Sequence, residues 1–158
     1  MMNLFKDCGC GCNGAIAQQK FIISLFSACI FYIIMNKETF KLTNKYIGNW
    51  IMKDDCPTRA GFLLHTVVFT AIAFATMMIR DQANIDQKMR ISILSGLLFY
   101  LIANPVTFKL VSDVIGRWVA SATGCPTTAG VLLHTAVFVL VIYVTMNGRR
   151  VKKCNCGA

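Results

Sequence analysis

Cys125-Pro126-Thr127-Thr128-Ala129-Gly130-Val131-Leu132-Leu133-His134-Thr135-Ala136-Val137-Phe138 repeats, 69 residues on, Cys56-Pro57-Thr58-Arg59-Ala60-Gly61-Phe62-Leu63-Leu64-His65-Thr66-Val67-Val68-Phe69. Shared apolarity alone does not reproduce Cys-Pro-Thr, Ala-Gly and His-Thr in register, so the chain reads as an internal duplication. The match extends upstream at an offset of 68. There Phe31-Tyr32, Ile34, Asn36, Thr39-Phe40-Lys41-Leu42, Ile47-Gly48 and Trp50 recur as Phe99-Tyr100, Ile102, Asn104, Thr107-Phe108-Lys109-Leu110, Ile115-Gly116 and Trp118.

Each copy carries two apolar runs, Phe21–Met35 with Ala60–Ile79, and Ile91–Ala103 with Ala129–Met146. A spanning helix needs about 20 residues. The second and fourth runs meet that length; the first and third reach it by extending into their flanks, with Lys20 or Arg90 snorkelling at one end, or else they are re-entrant. The expected fold is therefore all-α and integral to a membrane, with four transmembrane helices from two parallel two-span repeats. The sequence divides into a Cys-rich tail (1–20), unit 1 (21–79), a basic linker (80–90), unit 2 (91–146) and a basic Cys-containing tail (147–158).

Composition agrees. Of the 158 residues 56% are hydrophobic and only 15% charged, against about 45–50% and 25% in soluble domains. A water-soluble monomer is not expected on this basis, and a disordered chain is excluded. The formal net charge of +9 would suggest nucleic acid in a soluble chain. Here the 16 basic residues sit beside apolar runs, which makes them a topology signal, and no nucleic-acid partner is expected. With four spans, nine of them (Lys6, Lys20, Arg80, Lys88, Arg90, Arg149, Arg150, Lys152, Lys153) share one side and seven the other. The positive-inside rule puts both termini in the cytosol. No cleavable signal-peptide pattern is expected at the start.

Between the runs of each unit lies an amphipathic segment. Asn104-Pro105 is a helix-start signal, Asn as cap and Pro at the first position. Phe108, Val111, Ile115 and Trp118 then share one face and Lys109, Ser112, Asp113 and Arg117 the other. Phe40, Thr43, Ile47 and Trp50 repeat the pattern. This predicts a helix lying in the interface, with Trp50 and Trp118 as anchors; the alternative is a continuation of the preceding span. Thr58 and Thr127 are expected to cap the long spans, and Ala60-Gly61 and Ala129-Gly130 to permit close backbone approach.

Three sets of residues are candidates for chemistry. His65 and His134, the two histidines, lie inside long spans, where an ionisable group is a functional candidate by default. They suit an ion or metal site or a proton relay, or else are neutral rings bonded to a neighbouring backbone. Cys56 and Cys125 are equivalent and fit either a disulfide or two packed thiols. Cys8, Cys10, Cys12, Cys154 and Cys156 suit acylation beside basic residues, a soft metal or disulfides. No nucleophile, base and orienting acid form a constellation, so neither an enzyme nor a bound cofactor is expected.

The segment Asn104-Pro105-Val106-Thr107-Phe108-Lys109-Leu110, followed by Gly124 to Phe138, resembles that of small multi-pass membrane proteins encoded by large nucleocytoplasmic DNA viruses of algae and protists. The resemblance implies a structural protein of a viral internal membrane (a virion component) or of a remodelled host membrane, with other membrane or capsid proteins as partners. Self-association into a homo-oligomer is the further expectation. A small channel or transporter, with its pathway between the repeats near His65 and His134, is the second.

Overall fold

The computed structural model describes residues 12–80 and 85–148. Six helices and one minimal hairpin follow in order: α1 (Cys12–Met35), α2 (Lys37–Ile47), β1 (Met52–Lys53), β2 (Cys56–Pro57), α3 (Arg59–Arg80), α4 (Ile85–Ala103), α5 (Pro105–Ile115) and α6 (Thr128–Gly148). Among the described residues two helices are long and apolar enough to cross a membrane, Arg59–Ile79 and Thr128–Met146. Two more spans arise if each bent pair counts as one: Lys20–Met35 with Lys37–Ile47, bent by 56°, and Ile85–Ala103 with Pro105–Ile115, bent by 47°.

The bends are written in the sequence. Asn36 and Asn104 leave helical geometry, and their side-chain oxygens accept the N–H of Glu38 and Val106. Each therefore starts a new helix one residue after the old one stops. Pro105 occupies the first position of α5, where its missing N–H does no harm. Gly48 and Gly116 close α2 and α5 at φ of 140° and 129°, and their N–H groups return to Asn44 O and Ser112 O. A side chain at either would be strained.

After α2 the chain turns through Asp54 and Asp55, both at positive φ (51° and 63°), to pair Met52 with Pro57 and Lys53 with Cys56. This short hairpin was not expected from the sequence. Its counterpart is a single bridge, Ala120 with Pro126. Phe40, Phe108 and Ser112 are buried, whereas Ile47, Ile115, Trp50 and Trp118 are exposed. Ser112 donates to Ala120 O at 3.1 Å and Gly116 O at 3.2 Å, while Asn44 Oδ1 accepts Met52 N–H at 3.0 Å. Polar side chains at this position tie the helix to the loop after it, so the buried face is turned away from Trp.

Thr58 and Thr127 cap the long helices: each hydroxyl accepts the N–H three residues on, Gly61 at 3.1 Å and Gly130 at 3.0 Å. The same hydroxyls donate to Trp50 O and Trp118 O, while the backbone N–H groups of Thr58 and Thr127 donate to the carbonyls of Ile51 and Val119. Those carbonyls lie directly over Gly61 and Gly130, where any Cβ would collide with backbone. Gly61→Ala and Gly130→Ala are each expected to destabilise by about 2–3 kcal/mol, an overpacking cost with no flexible neighbour to absorb it. Thermal unfolding in detergent checks this, with the exposed Leu63→Ala as reference. A shift no larger than the reference removes the close-approach account.

The seams between helices cross the midpoint of the chain. α3 packs along α4, and α1 along α6, more extensively than α1 on α3 or α4 on α6. At corresponding places Ser24 donates to Met146 Sδ and Ser92 to Met77 Sδ, while both hydroxyls also bond the carbonyl four residues back. Gly96 faces Thr70 so closely that a Cβ there would meet its hydroxyl.

Candidate functional site

The centre of the bundle is aromatic. Phe31 (α1), Phe69 (α3), Phe99 (α4) and Phe138 (α6) are fully or almost fully buried, and their rings close on one another. Centroids lie 5.1 Å apart for Phe31 and Phe99, 4.7 Å for Phe31 and Phe138, 4.5 Å for Phe69 and Phe99, and 5.7 Å for Phe69 and Phe138. One ring from each long helix thus meets the others at the centre of the bundle. Edge-to-face and stacked contacts at these distances add about 0.5–1.5 kcal/mol per pair beyond area burial.

The histidines sit beside the bends. His65 Nδ1 lies 3.0 Å from Ile34 O, and His134 Nδ1 lies 2.6 Å from Ile102 O. A carbonyl can only accept, so Nδ1 carries a proton in both rings. Each ring stacks on the Phe that opens the next helix: Phe40 on His65 at 3.8 Å and 7°, Phe108 on His134 at 3.7 Å and 8°. Both histidines are buried, and His134 Nε2 has no hydrogen-bond partner among the described residues.

The need for a donor there follows from the break. In an unbroken helix Leu101 O would receive the N–H of residue 105, which is Pro and has none, and Ile102 O would receive that of Val106. Asn104 has taken the Val106 N–H. Thr107 Oγ1 therefore donates to Leu101 O at 2.7 Å, and His134 donates to Ile102 O. In the first half Thr39 donates to Ile33 O at 2.5 Å and His65 to Ile34 O. In hydrocarbon no water can take over such carbonyls. Each histidine closes a backbone account that the Asn-capped bend leaves open.

No family model matches the chain, and comparison with curated proteins and with solved structures found no match. Its chemistry is read from its own residues.

Cys56 and Cys125 are joined as a disulfide with Cα atoms 5.5 Å apart, tying the two inter-helix loops together. Cys8, Cys10, Cys154 and Cys156, and the side chain of Cys12, lie outside the described residues, as does most of the two tails. Among the described residues no group of three or more His, Cys, Asp or Glu side chains is placed to hold a metal ion. The four phenylalanines and the Thr39 and Thr107 clamps were not singled out from sequence as site residues. Their signal was present: all six keep their identity between the two halves.

Proposed function

We propose that the protein is a non-enzymatic structural component of a membrane, a rigid four-span unit made of two parallel two-span repeats, and that it self-associates or supports other membrane or capsid proteins. The observation that carries this reading is the closed ring of Phe31, Phe69, Phe99 and Phe138. A channel between the repeats needs that space, and four rings at contact distance occupy it. The roles of His65 and His134 as carbonyl donors point the same way.

The bent pairs fit complete spans with oblique outer segments. His65 lies six residues along from Arg59, about 9 Å into α3 at ~1.5 Å per residue. Its bond to Ile34 sets the bend of the α1–α2 pair at that depth. The 11 residues of α2, inclined at 56°, then regain roughly the same 9 Å. Leu42, Tyr46 and Ile47 on α2 and Val106, Leu110 and Val114 on α5 are exposed, as suits lipid, and Trp50 and Trp118 arrive near head-group level. The disulfided loops belong to an oxidising compartment and the basic termini to the cytosol. A viral internal membrane or remodelled host membrane is the proposed setting on the sequence resemblance; co-purification with virions or with virus-induced membranes tests it.

Reconstitution in liposomes tests the reading directly: no pH-dependent ion flux is expected above protein-free vesicles, and robust flux would replace it with the channel. A second measurement separates the histidine roles. His65→Ala with His134→Ala is expected to cost about 2–4 kcal/mol in all, from two unsatisfied buried carbonyls. His65→Asn with His134→Asn, which offers an N–H close to the Nδ1 position, should recover part of this. A proton or metal site would show no such rescue.

A further inference from the structure

A cavity of about 380 Å³ opens beside the disulfide, between the α1–α2 bend of the first half and the loop leading into α6. That volume falls in the range of small-molecule and head-group sites. Its wall includes Tyr32, Asn36 and Lys37 at the bend, Asp55 on the hairpin, and Thr128 and Val131 at the start of α6. Lys37 Nζ and Asp55 Oδ2 lie 2.9 Å apart across it with both side chains solvent-exposed. The hydrogen bond from the Lys37 ammonium holds the Asp55 carboxyl below its usual range. α2 and α6 both begin in this wall, at Lys37 and Thr128, and their N-terminal ends add positive potential.

The duplicated pattern fails at this spot. The counterparts of Lys37 and Asp55 are Pro105 and Gly124, which carry no charge. Gly124 instead lies against Pro105 O, close enough that a Cβ would stand 3.1 Å from it. The counterpart of Val131 is Phe62, buried with its ring 5.5 Å from Tyr100, itself the counterpart of Tyr32. Around an otherwise conserved set of contacts, one side closes Phe62 on Tyr100 and carries Arg59 at the place of Thr128, while the other is open and pairs the cation of Lys37 with the anion of Asp55. Packing alone gives no reason for that difference, because Phe62 shows that the space can be closed.

We infer that this cavity is a single binding site for a zwitterionic phospholipid head group, the phosphate on Lys37 and the ammonium on Asp55. The inference rests on the two-unit reading above. The ligand is a lipid because the helices walling the cavity present exposed apolar side chains, Ile33 on α1 and Leu132 on α6, against which acyl chains can lie. Paired opposite charges match an aminophospholipid, whose primary ammonium can donate to a carboxylate, better than choline, which has no N–H.

The test is native mass spectrometry of the full-length protein in detergent with phosphatidylethanolamine, phosphatidylcholine or phosphatidylglycerol added in turn. One phosphatidylethanolamine per chain is expected, retained about tenfold better than the other two, as charge-assisted hydrogen bonds warrant. Lys37→Gln and Asp55→Asn should each abolish the preference, and Val131→Phe, which imports the residue of the filled side, should remove the adduct. Equal retention of the three lipids, two equivalents per chain, or unchanged binding by Lys37→Gln overturns the site. Displacement by equimolar glycerophosphoethanolamine, the head group without chains, overturns the lipid as its occupant. The flux and histidine experiments involve none of these residues, so failure there and failure here are separable.

Discussion

Phe99→Ala is expected to lower the stability of the folded bundle by about 3 kcal/mol, while Phe26→Ala leaves it within about 0.5 kcal/mol. The contrast arises because Phe99 is fully buried and touches Phe31, Phe62 and Phe69, whereas Phe26 is 47% exposed on α1. In lipid the unfolded helices remain among apolar tails, so the transfer term that dominates in water is small. What is lost is close packing, several tens of dispersion contacts and the edge-to-face geometry of the ring cluster. Thermal or denaturant unfolding in a fixed detergent, followed by tryptophan fluorescence at Trp50 and Trp118, measures both variants. Comparable losses for Phe99 and Phe26 would mean that the central rings are no better packed than a lipid-facing side chain. The same variant bears on function. If the ring cluster closes the centre, the cavity left at Phe99→Ala is the change best placed to let small solutes leak in liposomes.

Loss of the Cys56–Cys125 bond has an expected effect of similar size. The bridge closes a loop with a sequence separation of 69, for which chain-entropy arguments give about 4 kcal/mol. The helices are already confined to a bilayer, so the unfolded loops have less freedom to lose and the measured value should fall somewhat below that figure. Cys56→Ser with Cys125→Ser is expected to unfold at lower temperature than wild type, and wild type treated with reductant should match the variant. An unfolding temperature insensitive to reductant, with the intact mass two hydrogens above that of the bridged chain, would mean that the loops are held by Thr58, Thr127 and the prolines alone.

Much of this arrangement was legible before any coordinates. Asn as helix start, Pro at the first position, Thr as cap and Gly at close approach each follow from one residue's stereochemistry, and each appears where its type requires. The membrane character followed from apolar runs and charge placement. What the one-dimensional pattern left open was which side of α2 and α5 packs on protein. Periodicity groups Ile115 and Trp118 with Phe108 because all are apolar, and in lipid both sides of such a helix have apolar neighbours. The side that packs on protein is instead marked by Asn44 and Ser112, which answer backbone groups of the following loop. The histidines were ambiguous for a related reason. Sequence identifies an ionisable side chain within an apolar run, but the acceptor it serves, Ile34 O or Ile102 O, lies 31 or 32 residues away. Their partner is a main-chain atom, which no side-chain motif reveals.

The seams that join α1 to α6 and α3 to α4 carry a consequence for biogenesis. A ribosome delivers α1, α2 and α3 first, and at that moment Phe31 and Phe69 have none of the aromatic partners that later enclose them. The early half must wait in the bilayer until α4 arrives through the short connection at residues 81–84 and α6 emerges last to seal α1. Synthesis order and packing order therefore differ, and a neighbouring nascent chain at the same stage offers an equivalent surface. The short α3–α4 connection favours the correct partner by keeping its effective concentration high, a safeguard that lengthening this linker should weaken.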